Sequence, residues 1–147
     1  ILSLSVGIGI TLIGALVTSI FLDTSSEWFM NLEKPAFMPA PIVFSLVWFI
    51  IYVLMSVIIT KTYKDKNYKL IYYWIALNIF NILWALFYSY LEMPLVGLIV
   101  LALATITSIL LVLKYCKIND YLWLLTLPIS LWYLFALLLN YSIVMLN

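Results

Sequence analysis

Charge divides this chain into blocks. Residues 1–22, 42–60, 70–91, 93–113 and 121–147 contain no Lys, Arg, Asp or Glu, and every charged side chain falls between these runs or within the segment 23–41. Each run is close to or above the ~20 residues that an α-helix needs to cross a hydrocarbon core of about 30 Å. With 67% hydrophobic and only 9% charged residues, the chain lies far from the roughly 25% charged content of soluble domains. The sequence therefore predicts an all-α membrane protein, a five-transmembrane-helix bundle forming one domain over 1–147, with spans near 1–22, 42–60, 70–91, 93–113 and 121–146. Period-two alternation, the mark of a membrane β-barrel, is absent. The first run contains Gly7, Gly9 and Gly14 but no basic leader or Ala-x-Ala site, so it reads as a span rather than a cleaved signal.

Lysine placement gives the expected orientation. Lys61, Lys64, Lys66 and Lys69 follow the second run, Lys114 and Lys117 follow the fourth, and only Lys34 lies on the opposite side. Basic residues in short loops stay in the cytoplasm, which puts the N-terminus inside, the C-terminus outside and the 23–41 loop facing away from the cytoplasm. The use of Lys without Arg, together with abundant Ile and Asn, fits an AT-rich bacterial genome and hence a bacterial cell membrane. A net charge of +1 argues against a nucleic-acid partner; the lysine cluster reads first as a topological anchor beside membrane lipid. The chain has no His and a single Cys, Cys116, which excludes a His-ligated metal, a Ser-His-Asp triad and an intrachain disulfide. No catalytic residue and no required cofactor emerge.

The remaining chemistry is aromatic and amide. Tyr63, Tyr68, Tyr72, Tyr73, Tyr115 and Tyr121 sit near the lysine loops and read as an interfacial belt. Trp48 and Tyr52 share a face of the second span, Asn78, Asn81 and Trp84 recur every three residues in the third, and Trp132, Ala136 and Asn140 every four in the fifth. An amide in hydrocarbon is costly unless bonded, so the asparagines should face the bundle interior. There they either link helices, at about 1 kcal/mol each, or meet a ligand. Together with inward tryptophans they describe a flat-walled pocket for a planar apolar molecule bearing hydrogen-bonding groups. Ser3, Gly7, Thr11, Gly14 and Thr18 in the first span, and Gly97, Ala104, Thr105 and Ser108 in the fourth, form small-residue stripes suited to close helix packing within one chain or between two.

Pro35, Pro39 and Pro41 stiffen the loop before the second span and set where that helix begins. Such a loop over the outer mouth makes a lid, with Trp28, Phe29 and Phe37 on its apolar underside.

The stretch "WFMNLEKPAFMPAPIVFSLVWFIIY" (28–52), with Trp28, Phe29, Leu32, Lys34, Pro35, Phe37, Pro39, Phe44, Trp48 and Tyr52, resembles the signature of the TspO/MBR family, the tryptophan-rich sensory proteins related to the translocator protein or peripheral benzodiazepine receptor. "LNIFNILWALFYSYL" (77–91) and "PISLWYLFALLLNYSIVMLN" (128–147) resemble its third and fifth spans. The resemblance implies a five-helix bundle, often a homodimer, binding protoporphyrin IX or a haem-like tetrapyrrole, and in animal members sterol or benzodiazepine-type drugs, beneath the first loop. Carried onto this chain, it marks Trp28, Phe29, Pro35, Pro39, Trp48, Asn81, Trp84, Trp132 and Ala136 as ligand-facing, and Asn78 joins them from the stripe analysis. Ala40 interrupts the family's proline pair, Phe29 replaces a commoner Tyr and Phe37 a frequent Trp; the fourth span lacks an acid found in some members. A sterol-type pattern is missing at the C-terminus, although "LKYCK" (113–117) fits its loose form.

Three functions follow: a membrane sensor or translocator for porphyrins, a light-dependent porphyrin-degrading enzyme in which tryptophans assist the excited ligand, and a membrane assembly module without a small-molecule ligand.

Overall fold

The computed structural model describes residues 1–147. It is all-α, with five helices long and apolar enough to cross a membrane. These are α1 (Leu2–Phe21), α3 (Pro41–Lys64), α4 (Tyr68–Ala85), α5 (Pro94–Lys117) and α6 (Leu122–Leu146), with a short α2 (Glu27–Asn31) between the first two. A π turn at Leu86–Tyr90 prolongs α4 into a continuous span, Tyr68–Tyr90.

Proline opens α3 and α5, where its missing N–H costs nothing. Both helices run past the uncharged stretches, to Lys64 and Lys117. Lysines in a last turn can extend their ammonium groups to water while favouring the carboxyl end of the helix dipole, so charge marks the membrane boundary rather than the helix end. Three short connections each turn through a left-handed residue, Lys66, Glu92 or Asn119, with φ of 59°, 56° and 54°. Only the 22–40 connection is long. Its α2 is one short turn of helix that charge and proline spacing do not reveal; the Ser26 hydroxyl caps it by accepting the Phe29 N–H at 3.2 Å.

Helix neighbours close a ring in the order α1, α3, α6, α5, α4, with α3 also touching α4. Both small-residue stripes are consumed inside the monomer: Ser3, Gly7, Thr11, Gly14 and Thr18 are buried in α1, and Gly97, Ala104, Thr105 and Ser108 in α5. Gly7 lets α1 cross α3 closely, since a methyl there would stand 2.7 Å from the Ser56 carbonyl oxygen. Gly14 likewise accommodates the Asn78 side chain, and Gly97 accommodates Tyr88 of the π turn.

At the lysine-bearing end, the bundle is filled by Ile58, Ile59, Leu111, Trp74 and Tyr115, all fully buried. Thr62 donates its hydroxyl hydrogen to the Ile58 carbonyl (2.8 Å), so the Tyr115 hydroxyl, 2.6 Å away, donates to Thr62 and accepts from Trp74 Nε1 (2.9 Å). Every polar atom of this triad is satisfied, as burial demands. The other end is built differently.

Candidate functional site

Near the end away from most lysines, two aromatic side chains of α3, Phe44 and Trp48, meet those of α6. The Trp48 ring lies edge-to-face on Trp132 (centroids 6.1 Å, 86°) and on Tyr133 (5.8 Å, 83°), and beside Tyr52 at 5.7 Å. Trp132 is further flanked by Phe44 at 5.6 Å and Phe135 at 5.4 Å. Edge-to-face contacts of this kind set ring positions by quadrupole attraction as well as by area buried. Trp48, Trp132 and Ala136 are half-buried, on the edge of the core rather than within it.

Asn81 of α4 is the polar hub beside this cluster. Its Nδ2 donates to the Tyr52 hydroxyl (3.0 Å) and to Thr18 Oγ1 of α1 (3.4 Å), while its Oδ1 accepts from the Tyr133 hydroxyl (3.2 Å). One amide thus joins α1, α3, α4 and α6. One turn on, Trp84 Nε1 donates to Asn140 Oδ1 (2.9 Å), and Asn140 Nδ2 donates to the Pro94 carbonyl (3.1 Å) at the start of α5. Trp84 stacks on Tyr88 (5.2 Å, 18°).

Asn78 lies apart. Its amide donates to the Trp74 carbonyl (2.9 Å) and its side chain fills the space left by Gly14, so it faces α1 rather than the tryptophans. The indole nitrogen of Trp132 differs from all these groups: it is buried and has no hydrogen-bond partner within the chain. Buried donors are nearly always paired.

The long connection is pinned at both ends across the mouth. At its start, the Asp23 N–H donates to Ser89 Oγ (2.9 Å) and Trp28 packs edge-on to Tyr88 of the π turn (5.9 Å). At its far side, the Asn147 amide holds both backbone groups of one residue: Oδ1 accepts from the Glu33 N–H (3.0 Å) and Nδ2 donates to the Glu33 carbonyl (2.9 Å). Phe37 meets Phe135 edge-on at 6.3 Å. Lys34 Nζ folds back onto the carbonyls of Phe29 (2.8 Å) and Leu32 (3.3 Å) and over the Phe29 ring at 4.7 Å, so Phe29 and Lys34 stiffen the strap together. Pro35 lines a surface concavity of about 450 Å³ with Lys34, Tyr141 and Met145, and Pro39 is half-buried ahead of α3.

Of the residues singled out by sequence, the structure brings Trp48 and Trp132 into contact, sets Asn81 against their neighbours Tyr52 and Tyr133, and places Trp84 with Trp28 around Tyr88. Tyr133 and Phe135 lie off the regular Trp132, Ala136 and Asn140 stripe. Tyr133 sits about 100° around the helix from Trp132, on the face of α6 that includes Ile129, Ser130 and Asn140 in its buried set; a search at the i+1 position would have found it.

Five apolar spanning helices, with an aromatic and amide cluster near one end and a strap tied across it, define an integral membrane protein of the five-helix-bundle class. Comparison with known proteins places it further: the TspO/MBR family model matches residues 4–146, and the chain belongs to that family. It is 28% identical to the tryptophan-rich protein TspO of Chlorobaculum tepidum, covering 100% of this chain and 97% of that protein. It is 31% identical to the tryptophan-rich protein TspO of Archaeoglobus fulgidus, over 82% of this chain and 80% of the relative.

Proposed function

We propose that this protein binds a tetrapyrrole, with protoporphyrin IX as the test ligand, beneath the 23–41 strap and acts as a membrane sensor or translocator for it. The observation that carries this reading is the buried, unpartnered Trp132 indole N–H in a wall of aromatic rings. Apolar flat faces suit a planar macrocycle, and an unspent donor suits one of its acceptor atoms. Trp48, Trp132 and Ala136 form one wall, with Asn81 and Trp84 on α4, and Trp28, Phe29, Pro35 and Pro39 belong to the cover. The N-terminus and the lysine loops face the cytoplasm of a bacterial cell, and the strap faces out. A homodimer would use faces other than the α1 and α5 stripes, which are already buried.

The test is a dark titration with protoporphyrin IX in nanodiscs, following tryptophan quenching. Saturable quenching weakened about fivefold to tenfold in Trp132→Phe, the effect of losing one buried hydrogen bond, is the expected result; no saturable quenching overturns the reading. The close approach of Trp48 to Trp132 and Tyr133 favours a second reading, light-driven breakdown of the bound ligand in which the excited porphyrin is oxidised by dioxygen and these rings assist the reaction. Under illumination that activity bleaches bound porphyrin faster than free porphyrin, at a rate that falls in Trp48→Phe.

A further inference from the structure

A second concavity, about 300 Å³, opens between α1 and α3 at the lysine-bearing end, far from the aromatic cluster. Leu4 and Val57, both about half-exposed, form its apolar walls, and Thr60, Lys61, Lys64 and Tyr121 surround its polar rim. Ser56 and Thr60, which also line it, are the α3 residues against which Gly7 of α1 packs.

One rim lysine is paired and the other is not. Lys61 is bound by both oxygens of Asp65 at 2.7 Å, which is the chain's only ion pair, so Lys64 has no carboxylate partner. Asp120, the other acid nearby, keeps its charge while accepting the Leu122 N–H at 3.0 Å, but forms no ion pair with Lys64. The Tyr121 hydroxyl donates to no group of the chain, whereas Thr60 spends its hydrogen on the Ser56 carbonyl at 2.7 Å. One free ammonium and one free phenol hydrogen thus stand over an apolar groove, at the level where lysines meet the membrane surface.

We propose that this groove holds an anionic phospholipid, its phosphate at Lys64 and Tyr121 and one acyl chain along Leu4 and Val57. Charge selects the headgroup: a choline ammonium would stand beside the unpaired Lys64, whereas a glycerol headgroup adds no cation. Basic pockets between membrane helices are suited to this chemistry.

The experiment is native mass spectrometry of the delipidated full chain in detergent with equal amounts of phosphatidylglycerol and phosphatidylcholine. The parent retains phosphatidylglycerol preferentially. Lys64→Gln reduces that preference by about fivefold, the contribution of about one lysine at a charged membrane surface. Lys117→Gln, an exposed change outside the groove, leaves it unaltered. Millimolar inorganic phosphate does not displace the lipid, because the acyl chain shares the binding. Equal retention of the two lipids, an equal effect of Lys117→Gln, or displacement by phosphate alone overturns the proposal.

Discussion

Single residues decide how closely these helices approach. Gly7 and Gly9 lie two positions apart on α1, yet a Cβ at Gly7 would meet the backbone oxygen of Ser56 at 2.7 Å, while one at Gly9 meets nothing within 4 Å. Gly7→Ala should cost about 1–3 kcal/mol, the range for overpacking against a neighbour that cannot yield, and lower the thermal midpoint in detergent by several degrees. Gly9→Ala leaves that midpoint unchanged or raises it; equal effects of the two would refute the crossing described here. Asp23, at the root of the strap, makes a prediction about pH. The Ser25 hydroxyl (2.7 Å) and Ser25 N–H (2.9 Å) donate to its carboxylate and hold its pKa below the ordinary 3.8. A lowered folded-state value means that these bonds contribute fully above the unfolded pKa and are lost as pH falls through the folded one. The Ser25 amide resonance should therefore titrate with a midpoint under 3.8; a midpoint above it contradicts the arrangement.

At the scale of elements, the strap is a separate mechanical part. It touches the bundle through Ser89 and Tyr88 at one end and through Asn147 and Phe135 at the other. Removing the Asn147 amide should free the Glu33 N–H and raise its hydrogen-exchange rate about fivefold, the equivalent of a net loss near 1 kcal/mol, while amides in the interior of α4 keep their protection. Unchanged exchange at Glu33 in Asn147→Ala would show that the strap is held elsewhere. The five spans were legible because charge interrupts them so cleanly. Helix ends were less so, since Lys61, Lys64, Lys114 and Lys117 are tolerated inside last turns. The short α2 escaped notice because one turn has no periodicity to read. Site residues on regular stripes, such as Trp48, Asn81 and Trp132, could be selected by spacing, but the direction of Asn78 depends on Gly14 of another helix, a contact between positions 64 residues apart that no local pattern encodes.

The whole molecule has two unlike ends, and its orientation can be read with its own chemistry. Cys116 is the sole cysteine and is exposed beside Lys114 and Lys117. With the lysine loops inside, a membrane-impermeant maleimide should leave it unlabelled in intact cells and label it once the membrane is opened; labelling of intact cells would invert the topology. At this same end, the Thr62, Tyr115 and Trp74 triad and its surrounding aliphatic side chains fill the bundle axis, whereas at the opposite end an aromatic and amide cluster lies beneath a tied strap. The bundle is thus plugged at its base and strapped at its mouth. If the proposed ligand binds under the strap, the filled base would leave it no straight path through to the far side. It would have to leave by the end it entered, or sideways between helices into the surrounding lipid, so net passage across the membrane would need a second carrier or a lipid leaflet to complete the journey.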